Sequence, residues 1–192
     1  EGLTSTLFAP AMKLGQSVRA FLPDALKAKV PVPQAAGAWP TQTHARKVLM
    51  LAGCVQPAMM PNINTATARV LNACGIEVVV PPAAGCCGGV KFHLNDQVGG
   101  LDHMRRNIDA WWPWVEQGVE AVVMNASGCG VTVKEYGHLL QHDAQYAEKA
   151  KRISALTRDL SELLPLCLPE LQKLLKPAVV AETGLMAYHP PC

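Results

Sequence analysis

Lys47-Val48-Leu49-Met50-Leu51-Ala52-Gly53-Cys54 is an apolar run of strand length, led by one lysine and closed by a glycine and a cysteine. What surrounds it decides the fold class. Ile63, Ala66, Val70 and Leu71 recur at helical spacing until Cys74-Gly75 closes the helix. Ile76-Glu77-Val78-Val79-Val80 is a second, β-branched strand stopped by Pro81-Pro82. Leu94, Val98, Leu101, Met104, Ile108 and Trp112 form one stripe of a second helix, which Pro113 ends or kinks. Val119 to Met124 is a third strand, delivering Asn125 through Gly130. Helical patterns then cover about 131–140 and 144–164, the latter with Ile153, Leu156, Leu160, Leu163 and Leu164 on one side before Pro165. A short helix near 169–175 follows. Alternation of strand and helix predicts an α/β fold of parallel, right-handed βαβ units.

Outward from this block the chain changes character. Residues 4–21 carry a weak helical pattern interrupted by Pro10, and residues 30–44 are rich in proline and small residues, as in an extended linker. The expected organisation is an N-terminal helix and Pro-rich linker over 1–45 and one cysteine-rich α/β domain over 46–184. Over 185–192, Leu185-Met186-Ala187 before Cys192 echoes Leu49-Met50-Leu51-Ala52 before Cys54. That echo reads as the start of a second, truncated unit, and the chain as a piece of a longer protein.

Composition narrows the function classes. The 192 residues carry 17 Lys+Arg against 15 Asp+Glu, a net charge of +2, with no basic run interleaved with aromatics, which argues against nucleic-acid binding. No uninterrupted apolar stretch is long enough to span a bilayer, and no signal-peptide pattern opens the chain. Seven cysteines, odd in number and clustered, point to metal or redox chemistry in a reducing cytoplasm rather than to a disulfide framework.

Cys54, the adjacent pair in Gly85-Cys86-Cys87-Gly88-Gly89, and Cys129 in Ser127-Gly128-Cys129-Gly130 each fall where a strand gives way to glycine-rich loop. In a parallel sheet, ligands gather beyond the C-terminal strand ends, so these four can converge on one site. Thiolates gathered in this way suit zinc or an iron–sulfur cluster, and flanking glycines let backbone approach a bulky inorganic core. The long gaps match no ferredoxin run or zinc-finger spacing. A disulfide between vicinal cysteines is strained, which disfavours a thiol–disulfide enzyme. Cys74 and Cys167 lie in apolar helical stretches and read as small hydrophobes. His138 and His142, four apart, would share a helical face, but no HExxH accompanies them or His93 and His103. Trp111, Trp112 and Trp114 read as packing residues. No GxGxxG, Walker loop or GxSxG is present.

The arrangement Cys54, Cys86-Cys87-Gly88 and Cys129 resembles the cysteine-rich CCG domain of heterodisulfide reductases and their relatives. Asn107-Ile108-Asp109-Ala110-Trp111-Trp112-Pro113, Ala126-Ser127-Gly128-Cys129-Gly130 and Val133-Lys134-Glu135-Tyr136-Gly137 are similar to the iron–sulfur subunits of glycolate oxidases (glycolate dehydrogenases). The cysteine pattern by itself is shared with anaerobic glycerol-3-phosphate dehydrogenase and lactate-utilisation relatives. The resemblance implies an electron-transfer subunit with an iron–sulfur cluster, of 4Fe–4S type, held by Cys54, Cys86, Cys87 and Cys129, with Cys192 assigned to metal by the unit it would begin. It implies FAD on partner subunits that oxidise glycolate to glyoxylate, electrons passing toward a membrane quinone, and a cytoplasmic place at the inner membrane face. Two features depart from the family: its ferredoxin-like CxxCxxC segment is absent, and Ala126 stands three before Cys129, where the fuller pattern has cysteine. Four thiolates, or three plus another donor, are therefore expected. The competing reading is a structural zinc module.

Overall fold

The computed structural model describes residues 2–5 and 7–175. Its centre is a four-stranded, all-parallel sheet: β1 (Arg46–Met50), β2 (Ile76–Val79), β3 (Ala121–Met124) and β4 (Thr157–Asp159), in the order β2-β1-β3-β4. Leu49 pairs with Val79 on one side and Val122 on the other, so β1 is a central strand. Val48, Leu49 and Met50 have no exposed surface, because helices cover both faces and alternation is not needed.

The helices are α1 (Phe8–Ser17), α2 (Asp24–Lys27), α3 (Gln56–Met59), α4 (Pro61–Ala73), α5 (Gly89–His93), α6 (Gln97–Glu116), α7 (Ser127–Lys134), α8 (Tyr136–Leu139), α9 (Ala147–Leu156), α10 (Leu160–Leu163) and α11 (Leu168–Leu174). Two cores form, one on each face. Met104, Ile108 and Trp111 of α6 pack with Tyr136 and Ile153 on Leu49 and Val122. Ala68 and Leu71 of α4 pack with Cys74, Leu163 and Cys167 on Val48 and Val123. The chain leaves β1 outward to β2, then crosses back over β1 to β3. That reversal puts a topological switch point at the C-terminal ends of β1 and β3.

The predicted α/β class and parallel sheet are what the structure shows, and residues 30–44 contain neither helix nor strand. Three local expectations are corrected. The stripe beginning at Leu94 is two helices: Asn95 adopts a left-handed φ of 66°, and Asp96 caps α6 by accepting from the Gly99 N–H. Leu94 and Val98 consequently face solvent, at 70% and 73% exposure. Pro113 does not end the helix, which runs to Glu116. The carbonyl it leaves unpaired belongs to exposed Asp109, where water can take its place. Residues 144–164 are not one helix either, because β4 interrupts them. Thr157 is fully buried against Val122, and Asp159 then opens α10 through a capping box with Glu162.

Candidate metal centre

The switch point is where the cysteines meet. Cys54 follows β1 through a turn at Gly53, whose φ is +79°. Cys86 and Cys87 occupy the loop between β2 and α5. Cys129 lies in the first turn of α7, directly after β3, rather than in a loop. The four sulfurs form a chain of contacts, Cys54 to Cys86, Cys86 to Cys87, and Cys87 to Cys129. Cys86 and Cys87 are buried and the outer two half-buried, all as free thiols.

Protons are unevenly shared along this chain. The Cys54 thiol, the Cys87 thiol, whose one hydrogen serves either Cys86 or Cys129, and the Gly88 N–H hold the Cys86 sulfur far below the ordinary thiol range. Cys129 is lowered by the Cys87 thiol, against the opposing effect of burial. Cys54 and Cys87 are the donors and are pushed up, Cys54 by Cys86 and burial, Cys87 by Cys129, Cys86 and burial. The Gly89 N–H also donates to the Cys87 sulfur. Four sulfurs this close cannot all ionise without a compensating cation. Metal binding removes that obstacle, because it displaces the thiol protons.

The surroundings fit a bulky sulfur-ligated group. Gly88 has a φ of +92°, and a Cβ there would fall 2.5 Å from the Gly100 carbonyl oxygen. A Cβ at Gly89 would meet the Thr132 hydroxyl at 2.7 Å and the Cys87 sulfur at 3.5 Å. A cleft of 570 Å³ opens against Cys87 and Cys129, walled by Gly89, His93, Ala126 and Thr132. Among the described residues, no three His, Cys, Asp or Glu side chains are set to hold a single metal ion. The thiols run in a line, an arrangement that a polynuclear cluster, with its ligands spread over several metals, suits better than one zinc ion.

Two residues that the sequence reading left without a role brace the paired cysteines. Asn107 on α6 accepts from the Gly85 N–H at 2.8 Å and donates to the Cys86 carbonyl at 2.8 Å and the Tyr136 hydroxyl at 3.1 Å. Tyr136, the first residue of α8, donates to the Cys87 carbonyl at 2.7 Å and stacks on Trp111. Asn107 and Tyr136 are both fully buried. The available signal was a polar residue on the apolar face set by Met104, Ile108 and Trp111. The Arg106 guanidinium lies beside the same loop. Arg106 contacts His103 at 3.1 Å, and a Cβ at Gly85 would fall 2.8 Å from the Arg106 guanidinium. Burial and then Arg106 push the His103 pKa down.

Cys74 and Cys167 belong to the opposite core, remote from this chain, as small buried residues. His138 is in α8 but His142 lies beyond it in a turn, so the two share no helical face. Cys192 and the expected second unit over 185–192 lie outside the described residues. No helix among the described residues is long and apolar enough to cross a membrane.

Residues 48–134 match the cysteine-rich domain family CCG. Over its full length the chain is 46% identical to the glycolate oxidase iron–sulfur subunit of Escherichia coli K12, covering 47% of that protein. It is 33% identical to the probable glycolate oxidase iron–sulfur subunit of Bacillus subtilis, over 62% of this chain and 26% of that one. Lactate utilization protein A of Bacillus subtilis is 29% identical, over 62% of this chain and 48% of that protein. No solved structure matches the chain. The chain spans about half the length, or less, of these curated relatives.

Proposed function

We propose, from the membership of residues 48–134 in the cysteine-rich CCG family, that this chain is part of the electron-transfer subunit of a glycolate dehydrogenase. In this reading Cys54, Cys86, Cys87 and Cys129 hold an iron–sulfur cluster of 4Fe–4S type, and Cys192 belongs to a second unit that begins at 185. The domain limits are 46–184 for the first cysteine-rich unit and 1–45 for the helix and linker before it. The observation that carries the reading is the convergence of four interacting thiols at the switch point, two of them buried in a glycine loop.

When bound, the cluster supplies one-electron chemistry. The chain's own residues supply the thiolates, the Gly88 and Gly89 N–H groups directed at sulfur, and an apolar wall that keeps water from Cys86 and Cys87. No flavin fingerprint is present, so glycolate oxidation falls to FAD-bearing partner subunits. Electrons then pass toward membrane quinone, with the complex in the cytoplasm at the inner membrane face. The long identity to the Escherichia coli glycolate oxidase subunit favours glycolate over lactate or glycerol 3-phosphate.

The test is anaerobic reconstitution of the chain with iron and sulfide, followed by absorption and EPR spectroscopy. Brown, reducible protein with stoichiometric iron is the expected result. Colourless protein that takes up one zinc per chain instead overturns the reading in favour of a structural zinc module. In the assembled complex, Cys86→Ser is expected to abolish quinone-linked turnover, and full turnover would remove this site from the electron path.

A further inference from the structure

We infer that Tyr136 is a positioning residue that aims the Gly88 N–H at the Cys86 sulfur, and that Asn107 holds it to that task. This rests on the iron–sulfur reading only for its consequence, the potential of the bound group. The geometry itself belongs to the chain.

The peptide unit joining Cys87 to Gly88 is planar and trans, so its carbonyl and its N–H point in opposite directions. Tyr136 donates to that carbonyl at 2.7 Å from the buried side. Fixing the carbonyl inward therefore fixes the Gly88 N–H outward, on the side of the Cys86 sulfur, whose thiolate it favours. Gly88 tolerates this plane because its φ of +92° suits glycine, and a Cβ there would fall 2.5 Å from the Gly100 carbonyl oxygen, leaving no room for a side chain.

Asn107 removes the remaining freedom. Its Oδ1 accepts from the Gly85 N–H, which defines the amide orientation and leaves Nδ2 to donate to the Cys86 carbonyl and to the Tyr136 oxygen. With that oxygen already accepting, the phenol's single hydrogen is left for the Cys87 carbonyl. Both side chains are fully buried, so water does not compete for these bonds. The ring stacks on Trp111, which keeps the hydroxyl in reach. Hydrogen bonds to a cluster's sulfurs stabilise its reduced, more negative state and raise its potential. Tyr136 thus acts on the metal group through one peptide plane, without touching it.

Tyr136→Phe keeps the ring and its stack and removes only the O–H. Thr157→Val, which breaks a buried hydroxyl bond to the Ile153 carbonyl away from the cysteines, is the control for lost stability. In the metal-free full chain, the Gly88 amide is expected to exchange with solvent roughly tenfold faster in Tyr136→Phe, the equivalent of one lost hydrogen bond. In Thr157→Val it should exchange as in the parent, after correction for global stability. In iron-loaded protein, Tyr136→Phe is expected to bind the parent's iron but titrate at a more negative potential, while Thr157→Val titrates with the parent. Unchanged Gly88 exchange in Tyr136→Phe overturns the positioning role. A potential that moves equally in both variants overturns the tuning role. Faster Gly88 exchange in a chain that takes up no iron keeps the positioning role and overturns the iron–sulfur reading instead.

Discussion

Asn107 Nδ2 lies 2.8 Å from the Cys86 carbonyl oxygen, joining the fully buried centre of α6 to the first of the paired cysteines. The vicinal pair is therefore held by its backbone from the protein interior while its sulfurs interact with Cys54 and Cys129. A loop rich in glycine has little conformational preference of its own. Its order has to come from such bonds.

Replacing Asn107 by leucine is expected to be among the more damaging single changes away from the sulfurs. It leaves the Gly85 N–H and the Cys86 carbonyl without their partner in a dry site, at about 1–3 kcal/mol for each unsatisfied group. Urea unfolding of the metal-free chain measures this, and a loss under about 1 kcal/mol would show that the loop finds other partners.

Gly88 and Gly75 both have positive φ, at +92° and +76°, but differ in their surroundings. A Cβ at Gly75 meets nothing within 4 Å, whereas one at Gly88 collides with the Gly100 carbonyl. Gly75→Ala is expected to cost only the left-handed backbone penalty of about 1–2 kcal/mol and to leave metal uptake intact. Gly88→Ala should displace the Cys86–Cys87 loop and reduce metal uptake sharply. Thermal unfolding and metal content, measured on both variants, separate the two effects.

Thiol reactivity should divide the cysteines by environment. Burial, with Cys167 adjacent, pushes the Cys74 thiol up to about 11, so little thiolate forms near neutrality. Cys129 is half-exposed, lowered by the Cys87 thiol, and in the first turn of α7. In metal-free protein at pH 8, iodoacetamide is expected to label Cys129 well before Cys74 and Cys167, as read by peptide mass spectrometry. Metal loading should protect Cys129. Equal labelling of Cys74 and Cys129 would contradict the burial of the second core.

Acid sensitivity should come partly from Asp143. Arg105 donates to it at 2.8 Å and holds its pKa below the usual carboxylate range, with support from the Gln145 and Tyr146 N–H groups. A carboxylate lowered in the folded state contributes stability above its unfolded pKa of about 3.9, and that contribution is lost as pH falls through the folded value. Asp143→Asn is therefore expected to be less stable than the parent at pH 6–7 and to converge with it in acid. A stability difference that stays constant down to pH 2 would assign the loss to hydrogen-bond geometry rather than to charge.

The periodicities of Ile63 to Leu71 and Met104 to Ile108, and the apolar runs of β1, β2 and β3, were legible because each repeats a local spacing. The three residues of β4 were not, since a strand that short carries no period and its neighbours Ile153 and Leu160 continue a helical count. The capping box at Asp159 and Glu162 was the one local sign that a new helix begins there. Asn95-Asp96 was a weaker sign of the break before α6, since Asn tolerates a left-handed φ and Asp is a favoured N-cap, but the apolar stripe running through it masked that sign.

The sequence by itself determined that an α/β parallel sheet would form, and that Cys54, Cys86, Cys87 and Cys129 would all leave its C-terminal edge. Strand order was beyond it, since βαβ pattern and handedness permit more than one arrangement of the same strands. Only the tertiary structure decided that β1 and β3 are neighbours, which brings Cys54 and Cys129 to one site with Cys86 and Cys87. It also decided that Asn107 and Tyr136, 29 residues apart and on different helices, would meet at the Cys86 and Cys87 carbonyls. The physical reason is the same in both cases. Spacing along a chain encodes which face a side chain occupies, while contacts between elements depend on how packed layers satisfy their buried polar groups together.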